Sequence, residues 1–133
     1  MLSKQSPGGS TFPYYYKGGE LFGLHLGSYF ENEAGVMAMM KAEGAFIMAQ
    51  NRKIGLWIDF YETKLTPRVM AELIEMLKLI HPRLSKLAIV GCAFSSKWKL
   101  NRLIKKADYL SSLPFRYYTD PEAAKTWLVS EHE

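Results

Sequence analysis

The sequence predicts one α/β domain in the order β-β-α-β-α-β-α-β-α, with a mixed, mostly parallel sheet of four to five strands packed by helices. Three observations predict it. Two short runs, LWIDF (56–60) and LAIVGC (87–92), are dense in apolar residues, the pattern of parallel strands covered on both faces. The segments between and after them repeat apolar residues at three- and four-residue steps, the period of amphipathic helices. Near the N-terminus, two runs rich in aromatic and apolar residues flank a pair of glycines, which reads as a hairpin.

Taken in order, residues 1–12 are rich in Ser, Gly and Pro and are expected to form a flexible arm, with the domain over 13–133. PYYYK and ELFGLHLG then flank Gly18-Gly19, a two-residue loop able to take positive φ. Leu24 and Leu26 alternate with Gly23 and His25, the period of a strand with one packed face. From about 32 to 50, Val36, Met39, Met40, Glu43, Phe46 and Ile47 form a helical stripe. Gly44 inside that helix costs about 1 kcal/mol relative to Ala, so close packing or a bend is expected there. Thr66-Pro67 starts the next helix, with Thr at the N-cap and Pro at N1. Val69, Leu73, Met76, Leu77 and Ile80 are its stripe, and His81-Pro82 ends it. A third helix begins near Ser95, with Leu100, Leu103, Ile104 and Ala107 inward. FRYY (115–118) is the last strand, and Asp120-Pro121 opens a terminal helix carrying Ala124, Trp127 and Leu128.

With 133 residues, 48% of them hydrophobic and 14% aromatic, the chain can bury a core without metal or disulfide staples. Cys92 is the single cysteine, which excludes an internal disulfide and suits a reducing compartment. The N-terminus lacks an apolar signal region, and the longest apolar-looking stretch (35–49) is interrupted by Lys41 and Glu43. No transmembrane segment is expected, and the location expected is cytoplasmic. A formal charge of +4 without a nucleic-acid motif argues against nucleic acid as the partner.

Several of these stretches together resemble the SpoIIAA-like branch of the STAS superfamily: the opening hairpin, LWIDF leading to the Thr66-Pro67 helix, LAIVGC before a Trp-bearing basic helix, and the ending FRYYTDPEAAKTWL. The resemblance covers about residues 14–129. It implies a mixed sheet with helices against it and a non-enzymatic regulatory or protein-interaction role. Lipid-carrying CRAL-TRIO domains are among the structural relatives it brings in. In the anti-sigma-factor antagonists of this superfamily, a serine within Asp-Ser-Ser-Gly, at the start of a helix, is phosphorylated. The corresponding corner here reads Leu65-Thr66-Pro67-Arg68, with neither serine nor glycine, and Thr66 is the nearest hydroxyl.

The residues themselves suggest surfaces more readily than a reaction. Asp59 lies near the C-terminal end of a buried strand, where ligands of parallel sheets bind, or else it accepts bonds from loop amides. Thr66 is a phosphate acceptor or a helix cap. Ser95 brings a hydroxyl to a helix N-terminus, where an anion can be held. Five cations follow on the third helix (Lys97, Lys99, Arg102, Lys105, Lys106) with Trp98 among them, and are expected to face outward toward an acidic partner or into solvent. Met37, Met40 and Phe46 mark an apolar pocket or interface, or simply core, with Met37 off the main stripe and the most exposed.

No nucleophile–base pair, acid–base pair or metal-ligand spacing is legible, so no catalysis, cofactor or metal is expected. The function expected is an interaction or regulatory module with a protein partner, a homodimer being compatible. The alternative is a carrier or sensor holding an apolar or anionic, lipid-like molecule between the Met-rich helix and the sheet.

Overall fold

The structure is a computed structural model that describes residues 4–12 and 14–130. Its centre is a five-stranded sheet of β3 (Tyr14–Tyr16), β4 (Gly19–His25), β5 (Ile54–Asp59), β6 (Leu84–Val90) and β7 (Phe115–Tyr118), in that spatial order. β3 is antiparallel to β4, and every later pair is parallel, with Leu24, Ile58, Ile89 and Tyr117 in register across the sheet. The turn between β3 and β4 falls one residue earlier than the glycine pair suggests. Tyr16 pairs with Gly19, and Lys17 and Gly18 form the turn, both at positive φ as a type I′ turn demands. Gly19 is a strand residue instead, where a Cβ would lie 2.8 Å from the Val129 side chain.

Each parallel step is made by a helix: α1 (Glu33–Ala49), α2 (Pro67–Ile80) and α3 (Phe94–Lys105). Because the strands step across the sheet in one direction, right-handed crossovers put all three helices on one face. They bury Phe22, Leu24, Leu56, Ile58, Leu87 and Ile89 from that side. α1 and α2 approach closely at Gly44, whose added Cβ would lie 3.3 Å from Met76. The opposite face is covered by α4 (Pro121–Leu128), which packs Ala124, Trp127 and Leu128 on Leu21, Trp57, Ala88 and Val90. Lys86 reaches across that layer from β6, and its ammonium donates to the Trp127 and Ser130 carbonyls at 2.9 and 2.8 Å. A cation at the end of α4 also complements the negative pole of the helix dipole.

Residues 4–12 correct the expectation of an arm outside the domain. β1 (Lys4–Gln5) pairs antiparallel with β2 (Thr11–Phe12). Phe12, 5% exposed, sets its ring edge-on to Phe22 and Phe46 at 5.6 and 5.9 Å. Ser6 and Ser10 are buried as well, and Ser6 donates to the buried carboxylate of Glu43 on α1. A short polar segment is thus held by one aromatic anchor and a few satisfied hydrogen bonds, neither of which composition reveals.

Of Met37, Met40 and Phe46, only Met40 is wholly within the core. Met40 has no exposed surface, and Phe46 stacks on Phe22 at 5.7 Å with Phe12 against it. Met37 is half-buried against the same core.

Candidate functional site

The C-terminal ends of β4, β5 and β6 lie together because these strands are parallel, with His25 beside Asp59 and Asp59 beside Val90. The strand order never reverses, so the crevice that usually gives a parallel sheet its ligand position is not formed. The loops after β4 and β5 are instead laced to each other. Leu26 and Ser28 donate backbone hydrogen bonds to the Asp59 and Tyr61 carbonyls, at 2.9 and 2.7 Å. Phe30 donates to the Glu62 carbonyl and accepts from the Lys64 amide, both at 2.8 Å. Thr63 ties the centre, its hydroxyl accepting from the Tyr29 amide and donating to the Leu26 carbonyl. Parallel pairing therefore continues past the strands, and Ser28, Phe30 and Glu62 are held at positive φ within it.

Asp59 supports this corner from beneath, with its carboxylate accepting the Tyr61 amide at 2.9 Å. Gly91, at φ +77°, passes so close that a Cβ would meet the Tyr61 backbone nitrogen at 2.9 Å. Thr66 is the N-cap of α2: its hydroxyl accepts from the Val69 amide at 3.2 Å and donates to the Glu33 carboxylate. Arg68 pairs with the same Glu33 at 3.5 Å. Backbone and side chains together make a stiff edge around a hollow of about 440 Å³, which Phe30, Leu65, Cys92 and Ser96 help to line.

Large aromatic side chains stand exposed on this edge. Phe30 and Tyr61 rise from the two laced loops, Phe94 opens α3 with 85% of its surface exposed, and Trp98 follows one turn later. Of the seven large hydrophobic residues exposed among the described residues, these four share one end of the sheet. Phe30, Tyr61 and Phe94 escaped the sequence reading. The only signal for them was position: each is an aromatic residue just beyond a strand, in a stretch too short to bury it.

The residues singled out from sequence do not converge on one site. Asp59 and Thr66 belong to the laced corner. Ser95 is exposed in the first turn of α3, whose N-cap is Ala93, without a side-chain cap bond. Lys97 does not face outward with the other cations; it is half-buried, with its ammonium 5.3 Å from the Tyr117 ring centre. Trp98 is exposed, and the Arg102 guanidinium lies 5.1 Å from its ring centre. Lys99 and Arg102 line a different depression, between α2 and α3.

Burial pushes the Cys92 thiol up to about 11, with the Lys97 ammonium opposing. Burial likewise raises the Tyr117 phenol. Neither is disposed to act as a nucleophile or base near neutral pH. Among the described residues, no three His, Cys, Asp or Glu side chains are grouped as a metal site would need. No described helix is long and apolar enough to cross a membrane.

A protein-family model described as SpoIIAA-like matches residues 29–129, from just after β4 to the end of α4. No curated protein and no solved structure matches the chain.

Proposed function

The chain belongs to the SpoIIAA-like family, and from that premise we propose that it acts without turnover, as a regulatory module whose protein partner docks on the aromatic end of the sheet. The observation that carries this reading is the group formed by Phe30, Tyr61, Phe94 and Trp98. Exposed aromatics gathered on a stiff frame are costly to leave in water and are the residue types that dominate binding energy at protein interfaces. The laced loops lose little conformational freedom on docking, so the apolar contact is not spent on ordering the chain.

The competing reading is a carrier with its ligand between α1 and the sheet. Met40, Phe46, Phe22 and Phe12 occupy that layer, which supports the surface over the carrier. Native mass spectrometry of freshly purified protein separates the two, since a retained lipid-sized mass would favour the carrier.

The surface reading is tested by affinity isolation with the full chain as bait. Phe94→Ser and Tyr61→Ser are each compared with Leu79→Ser, which removes an exposed residue near the far end of α2. A partner lost with both of the first two and kept with the third is expected. Retention by all three variants would defeat the proposal.

A further inference from the structure

We propose that the groove between α2 and α3 seats an acidic amphipathic helix of a partner protein, at a surface that adjoins the aromatic edge at Trp98 but is argued independently of that reading. The groove has a volume of about 470 Å³. Its floor is apolar: Met70 and Ile74, four residues apart on α2, face Leu103 on α3. Two adjacent helices presenting side chains at this spacing form the ridges and grooves into which a third helix packs.

The charge on the rim selects the occupant. Lys99, Arg102 and Lys106 line the α3 side. Their spacing of three and four residues puts them in one row about 11 Å long, two turns of helix. Carboxylates at matching steps on a helix laid alongside would meet all three. Among the described residues, the salt bridges engage Lys41, Arg52, Lys64, Arg68 and Lys125, and none involves the three groove cations. Arg102 rests against the Trp98 ring, a contact that positions the guanidinium without neutralising it. Glu75 lines the α2 side of the groove. It repels acids there and accepts a cation, so it sets which edge of the incoming helix faces which wall. A nucleic-acid backbone matches neither the apolar floor nor this acidic wall.

The test uses synthetic peptides that share one apolar face: one edged with glutamates, one edged with lysines, and one glutamate-edged with a central proline that breaks the helix. Each is titrated into the full-length protein and followed by amide chemical shifts. The glutamate-edged peptide is expected to saturate and to shift residues of α2 and α3. Its affinity should fall at least about tenfold in the double variant Lys99→Glu, Lys106→Glu. It should also weaken as salt rises from about 50 to about 300 mM. The charge-reversed variant should bind the lysine-edged peptide in its place, a rescue that a misfolded variant could not give. The proposal is overturned by equal binding of all three peptides, by no binding, or by shifts confined to other elements. It is also overturned if the same lysines are needed for binding to phosphatidylglycerol vesicles while the peptides fail.

Discussion

Ser6, in the turn of the N-terminal hairpin, donates a 3.1 Å hydrogen bond to the carboxylate of Glu43, a residue of α1 with no exposed surface. The Gly8 amide donates to the other carboxylate oxygen at 3.3 Å. Burial raises the Glu43 pKa, while the bonds from Ser6 and Gly8 pull it down without cancelling the effect. The sign for stability follows from the raised value. The contribution of Glu43 is complete below its unfolded pKa and is lost as pH rises through its folded pKa. Glu43→Gln keeps an acceptor and removes the buried charge. Urea unfolding should therefore find the variant gaining on the wild type between pH 5 and pH 8, whereas a constant offset would contradict the assignment. Glu43→Ala leaves both donors unsatisfied and should cost roughly 2 kcal/mol at pH 5, and less at pH 8, where the wild type has lost the contribution of its neutral carboxyl.

Gly91 and Gly18 both sit at positive φ, but only Gly91 is crowded. A Cβ at Gly91 would press on the Tyr61 backbone, while one at Gly18 would meet nothing within 4 Å. Gly18→Ala should cost about 1 kcal/mol, from backbone strain alone. Gly91→Ala adds a clash with backbone that cannot turn aside, so its loss should be about 2 kcal/mol or more. It should also shift the amide signals of the laced loops. Equal melting temperatures for the two variants would show that the corner is softer than its hydrogen bonds imply.

The contrast between these elements explains what could be read in advance. The parallel core was legible because both faces are covered, which makes 56–60 and 87–92 nearly continuous in apolar residues. Thr66-Pro67 and Asp120-Pro121 announced their helices because capping and a fixed φ act within one turn. The N-terminal hairpin was not legible, since its hold on the domain comes from Phe12 and Glu43, which lie far apart in sequence. Lys97 was legible but grouped wrongly. It lies about 200° around the helix from Lys99 and three residues before the buried Leu100, so its spacing sets it on the inward side, where its ammonium meets the Tyr117 ring. The aromatic edge depends on three loops meeting at one end of a sheet, which no local pattern records.

Cys92 should be slow to alkylate. Its thiol rises from the ordinary 9.0 to about 11 on burial, so the thiolate fraction at pH 8 falls about a hundredfold. Iodoacetamide should modify the native protein far more slowly than the protein unfolded in urea. A native rate within about threefold of the unfolded one would show that the thiol is neither shielded nor raised as its burial implies.

Thr66 supplies the sharpest test of whether the corner accepts negative charge. Its hydroxyl already caps Val69 and donates to Glu33. Thr66→Ser keeps both bonds, and Thr66→Ala should cost about 1 kcal/mol. A phosphate, or the carboxylate of Thr66→Glu, would meet two opposing effects. The N-terminal dipole of α2 favours an anion by about 0.3–1 kcal/mol. Repulsion between unit charges about 4 Å apart is about 4 kcal/mol at an effective dielectric near 20. Repulsion from Glu33 is therefore the larger effect, and the Arg68 ion pair offsets only part of it. Thr66→Glu should be less stable than Thr66→Ala at low salt, and the gap should narrow when Glu33→Gln is added. If Thr66→Glu instead matches Thr66→Ser, the corner tolerates the charge of a phosphoacceptor, and a phosphorylation switch at Thr66 becomes the better reading of this surface.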